Sequence, residues 1–374
     1  MAQRAAALLE TVHARPGLTR AAAAQLLGIG TGAATELVGR LAERGLLAEE
    51  PAPPTGSRGR PTRRLTAHPA GPLVLAAAIT HESWRVEAVE LGGHSVAAAN
   101  GRPDGHDAAQ VLAAMAAAVT RLRRRLTGRV RGIGVSVPGT VRDGHTLDAS
   151  YLGWRDVDLR VLWPRAPLFA ADNDATLAAL AESRRGAAAG AVLSLHVRVD
   201  AGIGGAIIEH GRVLSGARGV AGEFGHMPFG DPAVRCPCGA RGCWGTAVDG
   251  TALARLLGAS APRDPVSYTA DVLARAAAGH APAAAAVAAV TTELGRGVAG
   301  LVNALDPDLV TLGGLAADMA AAAPAELAAS YADGLMSFRR DAATPVIAAG
   351  LGEAGPRIGA AEQVWNRLLP ALAP

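Results

Sequence analysis

Residues 72–100 read PLVLAAAITHESWRVEAVELGGHSVAAAN, and the segments PLVLAAAIT, WRVEAVEL and HSVAAAN each have the length and apolar content of a β-strand. A helix from about Asp107 to Leu126 follows, then VRGIGVSVPG at 130–139, a buried strand ending in a Gly/Pro turn. A second series of the same kind starts near Pro167. It runs PLFAADNDA, a helix through Ser183, AVLSLHVRV and GIGGAIIEHGRVL, and later a long helix over about 283–305 followed by DLVTLGG and TPVIAAG. Two successive β-then-α series predict an α/β chain with two lobes around a cleft. The smaller lobe spans about 71–166 plus the C-terminal helix, and the larger lobe about 167–355.

The 374 residues, half of them apolar, suffice for two or three domains with large cores. All 36 basic residues are arginine, and residues 1–70 hold nine arginines against five acids, which leaves 27 against 28 for the remainder. The basic excess therefore sits at the N-terminus and points to an acidic partner for that part. Arg4 and Glu10 interrupt the first apolar stretch, so no secretory layout is read there. The charge-free runs at 65–81 and 276–292 are broken by His and Pro and read as core or loop, not as membrane spans. Three cysteines clustered at 236, 238 and 243 argue against a disulfide framework. A cytoplasmic protein is expected.

Residues 1–70 predict a DNA-binding domain of winged helix-turn-helix type. Residues 3–13 are helical in composition and Pro16-Gly17 end them; Thr19 is placed to cap RAAAAQLLG, and Thr31 to cap GAATELVGRLAERG. LLAEE then reads as a strand, SRGRPTRR as a hairpin tip and RLTAH as a return strand, which makes a wing. Arg58, Arg60 and Arg63 are expected on phosphates or in the minor groove, and Thr31, Thr35, Glu36 and Arg40 are the polar candidates on the helix facing the major groove. The plain alternative for this segment is a helical protein-binding module followed by a solvated basic linker.

The strongest chemical signal is His226 with Cys236, Cys238 and Cys243. Three thiolates and one imidazole complete a closed tetrahedral Zn²⁺ site, and the glycines at 239 and 242 let Cys-x-Cys-x₄-Cys wrap an ion tightly. The zinc is expected to be structural, with the second nitrogen of His226 left to orient a ligand hydroxyl.

The segments GIGVSVPGTV, LGWRDVDL, DNDATLAALAE, GIGGAIIEHGRVLSGARGVAGEFGHM, CPCGARGCW and LDPDLVTLGG stand in the order and spacing of the ROK family (repressor, open reading frame, kinase). The resemblance covers about 15–372. It implies an actin-like, ribonuclease-H-like two-lobed domain over 71–374, a homodimer or homotetramer, and a sugar held between the lobes by Gly139, Asn173, Asp174, Glu223 and His226. In the family's kinases the aspartate matching Asp174 takes the proton from the sugar hydroxyl; its repressors keep the pair for binding. Two departures follow. The kinases' phosphate turn Asp-x-Gly-Gly-Thr is here AITHESW, without aspartate or glycine pair and with Glu82 opposing phosphate. The Glu usual after GCW is Gly245, which alters hydroxyl recognition. The resemblance thus implies a sugar-responsive regulator, most simply a repressor, that binds a double-stranded DNA operator and catalyses nothing; a sugar kinase with an appended DNA-binding domain is the alternative.

Overall fold

The computed structural model describes residues 2–51, 63–102 and 107–373. They form two compact units, one comprising Met1–Asn173 and Arg357–Pro374, the other Asp174–Pro356.

The first unit opens with α1 (Ala2–Ala14), α2 (Arg20–Leu26) and α3 (Thr31–Glu43). Strands β1 (Leu47–Pro51) and β2 (Arg63–Ala67) then pair antiparallel, Leu47 opposite Ala67 and Pro51 opposite Arg63. Thr19 caps α2 as its position suggests, its hydroxyl accepting from the Ala22 amide at 3.1 Å. Thr31 does not cap α3. Gly30 holds the extended N-cap position with no side-chain bond, and Thr31 lies inside the first turn, where its carbonyl accepts from the Thr35 hydroxyl at 2.9 Å. Arg58 and Arg60 lie outside the described residues.

The five-stranded sheet of this unit is built from β3 (Leu73–Ile79), β4 (Trp84–Glu90), β5 (Ser95–Gly101), β6 (Val130–Val137) and β10 (Phe169–Asn173), in the order β10-β6-β3-β4-β5. β3, β4 and β5 form an antiparallel meander, while β6 and β10 run parallel to β3. Helix α4 (Ala108–Arg125) buries Val111, Met115, Val119 and Leu122 against it, one stripe at helical spacing. Between β6 and β10 lies a small antiparallel sheet of β7 (Thr140–Arg142), β8 (Thr146–Ala149) and β9 (Trp154–Asp158).

The second unit begins with α5 (Asp174–Arg185) and repeats the same plan. β11 (Leu193–Val199), β12 (Ile203–Glu209) and β13 (Arg212–Val213) form the meander, and β14 (Leu309–Gly314) and β15 (Val346–Ala348) run parallel to β11, in the order β13-β12-β11-β14-β15. Between β13 and β14 the chain forms α6 (Gly245–Val248), α7 (Gly250–Leu256), α8 (Pro265–Ala277) and α9 (Ala281–Leu305); α10 (Leu315–Ala322) and α11 (Pro324–Gly334) follow β14. α9 has the length and apolarity of a membrane span, but Val287, Val290, Leu294 and Val298 bury it in this unit's core.

α12 (Gly355–Leu372) returns the chain to the first unit, where it packs on β6. The contact is close because β6 presents glycines: a Cβ at Gly134 would collide with the Ala360 carbonyl, and one at Gly132 would come within 2.9 Å of Val364 Cγ1. α12 also meets α1. His13 and Glu362 are both buried and lie 3.1 Å apart, and His13 Nδ1 accepts from the Gly92 amide at 2.9 Å, which places the ring proton on Nε2, facing the carboxylate.

Candidate functional site

In the second unit, Glu223, Phe224, Gly225 and His226 form a tight turn against β12. Glycines permit it: Gly222 has φ +95°, and a Cβ there would stand 2.6 Å from the Gly205 carbonyl. The turn places His226 beside a hairpin whose ends are tied by Gly230 N–H to the Gly242 carbonyl at 2.8 Å and by Cys236 N–H to the Ala240 carbonyl at 2.8 Å. Gly239 and Gly242, with φ +99° and +68°, supply its reversals. Trp244 anchors the far end, fully buried, its indole N–H donating to the Glu293 carbonyl at 2.9 Å.

One donor atom each from His226, Cys236, Cys238 and Cys243 thereby fall within 4.8 Å of one another. Cys238 and Cys243 Sγ are 3.7 Å apart, and Cys236 Sγ is 3.8 Å from His226 Nδ1. With zinc–sulfur bonds of about 2.3 Å, a tetrahedron has edges of about 3.8 Å, so the donors fit such an ion. The Ala240 amide and neighbouring thiols lower the pKa of Cys238, whereas burial and the other two sulfurs push Cys243 up to about 12. A cation is what would let all three ionise together. His226 Nε2, turned away from the sulfurs, lies 3.9 Å from a Glu223 carboxylate oxygen.

The other expected sugar contacts are distributed as follows. In the first unit Asn173 Nδ2 donates to the Gly139 carbonyl at 3.1 Å; a Cβ at Gly139 would crowd the Asp148 carbonyl at 2.5 Å. Asp174 opens α5 in the second unit, where burial and the charge of Asp200 push its pKa up to about 7 against the pull of Arg198. Gly245 is not required by packing, since a Cβ there would find its nearest neighbour at 3.4 Å.

Arg198 and Asp200 belong to no motif marked by the sequence, although an arginine flanked by Val197 and Val199 in β11 is a readable signal. Arg198 Nε donates to Asp200 at 2.6 Å and Nη2 to Glu353 at 3.1 Å. Burial opposes its charge, but Asp200, Asp174 and Glu353 together raise its pKa. The turn between β3 and β4 is also built differently from a phosphate loop. Thr80 N–H donates to the Ser83 carbonyl at 2.8 Å, Ser83 N–H to the Thr80 hydroxyl at 3.1 Å, and Glu82 lies beside Arg102 at 3.6 Å.

Of the expected DNA contacts, Thr35 also accepts from Arg20 Nη1 at 3.0 Å, and Arg20 in turn clasps Glu49 with bonds of 3.1, 2.7 and 2.6 Å. Arg40 pairs with Glu36 at 2.9 Å, and Arg63 donates to the Glu49 carbonyl at 2.7 Å. Arg20 is a second residue that composition alone did not mark.

Two sheets of one topology, a meander followed by two parallel strands, with a His/Cys cluster beside the second, define a mixed α/β protein of the actin-like, kinase-type class. The ROK family model matches residues 88–366, and the chain belongs to that family. It is 33% identical over 217 residues to a glucokinase of Halalkalibacterium halodurans, a match covering 52% of this chain and 66% of that one. It is 30% identical over 185 residues to the xylose repressor of Bacillus subtilis, covering 48% and 47%. The chain thus spans from about half to two thirds of the length of these relatives. Among solved structures, a ROK family transcriptional regulator, homologous to the E. coli MLC protein, superposes with TM-score 0.75 at 21% identity, over 100% of this chain and 98% of that one. A ROK glucokinase from Streptomyces griseus, in complex with glucose and AMPPNP, gives 0.63 at 26%, over 78% and 98%.

Proposed function

We propose that the chain is a DNA-binding transcriptional regulator, most simply a repressor, whose hold on its operator is set by a sugar or sugar-derived ligand. The observation that carries this reading is the N-terminal run α1, α2, α3, β1, β2. Three helices and an antiparallel pair, in a segment with net charge +4, are the order of a winged helix-turn-helix. The S. griseus kinase covers 78% of the chain, and the part left over is about the size of this segment, whereas the regulator covers all of it. Residues 1–70 then form the DNA-binding domain and 71–374 the effector domain. Arg58, Arg60 and Arg63 meet phosphates or the minor groove, and Thr31, Thr35, Glu36 and Arg40 lie towards the major groove. Because Thr35 is held by Arg20 and Arg40 by Glu36, much of the sequence discrimination rests on DNA shape.

Gly139, Asn173, Asp174, Glu223 and His226 are the proposed sugar contacts. His226, Cys236, Cys238 and Cys243 hold a structural zinc, which when bound fixes the turn that carries Glu223. A homodimer or homotetramer suits a two-fold operator. Sugar binding that favours one arrangement of the protein by about 1–3 kcal/mol gives a usable switch. One observation favours a second reading, a sugar kinase: the proton affinity of Asp174, near 7, suits a general base. The β3–β4 turn, which carries a carboxylate instead of a glycine pair, weighs against it. Selecting bound DNA from a random pool, with and without a panel of sugars and sugar phosphates, tests the regulator reading. Recovery of no enriched sequence under any condition sinks it, and turnover above about 1 s⁻¹ in a coupled kinase assay establishes the second.

A further inference from the structure

β11, β14 and β15 run parallel in the second unit, so Val199, Gly314 and Ala348 end at one edge of the sheet. That is the edge at which open α/β sheets receive ligands. The Gly313-Gly314 turn and the first turn of α10 have the form of an anion cradle: backbone without side chains leading into a helix N-terminus, with Gly314 at φ +55°. In this chain the cradle carries a carboxylate of its own. Asp200 Oδ1 lies 2.8 Å from the point where a Cβ on Gly314 would stand, and Arg198 Cγ lies 3.3 Å from that point. Arg198 is 5% exposed, its Nη1 is buried without a hydrogen-bond partner, and its stem lies over both glycines. Asp174 and Glu353 complete the set of charges. One arginine thus faces three carboxyl groups, and the sum is negative.

We propose that Asp200, clamped by Arg198, fills the anion cradle of Gly313, Gly314 and α10 and closes this edge to phosphate-bearing nucleotides. The carboxylate occupies the space a phosphate oxygen needs, and an incoming polyanion meets a net negative cluster whose one cation is already engaged. This deepens the non-catalytic reading above, adding a block within the second unit to the altered β3–β4 turn of the first. It also assigns a task to Arg198, which holds the Asp200 carboxyl group in place through the Nε bond of 2.6 Å.

Calorimetric titration of the full chain with magnesium-loaded AMP-PNP, and separately with inorganic phosphate, tests it on wild type, Asp200→Gly, Asp200→Asn and Arg198→Leu. Asp200→Gly is expected to bind the nucleotide at least about ten-fold more tightly than wild type, with Asp200→Asn changed in the same direction. The asparagine variant preserves the side-chain volume and decides the matter if the glycine variant fails to fold. Equal nucleotide affinity in wild type and the folded variants overturns the proposal. So does wild-type binding of inorganic phosphate that is lost in Arg198→Leu, which would make Arg198 the receptor of an external anion. Operator binding measured on the same preparations separates the two ideas: its absence defeats the regulator reading and leaves the result on Asp200 standing.

Discussion

Asp174 binds its proton more tightly in the folded chain than in the unfolded one, because burial and the charge of Asp200 lift its pKa to about 7 from an ordinary value near 3.9. A raised carboxyl pKa costs stability as pH rises: the folded state carries the extra proton between about pH 4 and pH 7, and the cost is fully present above that window. Asp174→Asn removes the charge. Its melting temperature should therefore exceed that of wild type at about pH 8 by the equivalent of about 1–2 kcal/mol, after allowance for the residue's partial exposure, and the two should converge near pH 4. Parallel melting curves across that range would contradict the assignment. At the cysteine cluster, Cys238→Ser should abolish stoichiometric zinc in the purified protein and lower its thermal stability, since binding energy at a structural site is folding energy; a variant retaining one zinc per chain would refute it. Both sites were open to the sequence in part. The spacing of His226, Cys236, Cys238 and Cys243 displays the cluster, because ligands on one hairpin are close in sequence. The surroundings of Asp174 are not displayed, because Arg198, Asp200 and Glu353 come from elements distant along the chain.

Elements with long, regular patterns were legible. The apolar runs became β3, β6, β11 and β14, and the helix expected over about 283–305 is α9 at Ala281–Leu305. β7, β8 and β9, of three to five residues each, are too short for alternation to stand out. The start of α3 was misplaced because glycine at an N-cap leaves no side-chain signature to weigh against a nearby threonine. At this scale the antiparallel pair β1 and β2 yields a prediction. If the segment between them reaches phosphates, Arg58→Ala with Arg60→Ala should weaken binding to all DNA sequences and reduce the salt slope of log affinity by about one unit per lost contact. Changing Arg40 should instead alter which sequences are preferred. An unchanged salt slope in the double variant would leave RGRP a plain linker.

Across the whole molecule, the N-terminal helices are tied to the C-terminal one by the buried pair His13 and Glu362, with Trp365 packed against the imidazole at 5.2 Å between centroids. His13→Ala leaves the Glu362 carboxylate buried without this partner and is expected to destabilise the first unit by about 2–4 kcal/mol. Denaturant unfolding followed by tryptophan fluorescence and by circular dichroism checks this; a loss below about 0.5 kcal/mol would show that the pair carries little.

The first unit is discontinuous in sequence: it closes only when residues 357–374 return to it after the second unit has been made. On a ribosome β6 is made with Gly132 and Gly134 bare, and the helix that covers them is made only after the whole of the second unit. The second unit is one uninterrupted stretch and can complete its core first. The glycine groove that lets α12 approach so closely therefore also sets an order of assembly, in which the unit bearing the N-terminal helices finishes after the second unit, and a nascent chain stalled before α12 exposes an apolar strand face to chaperones.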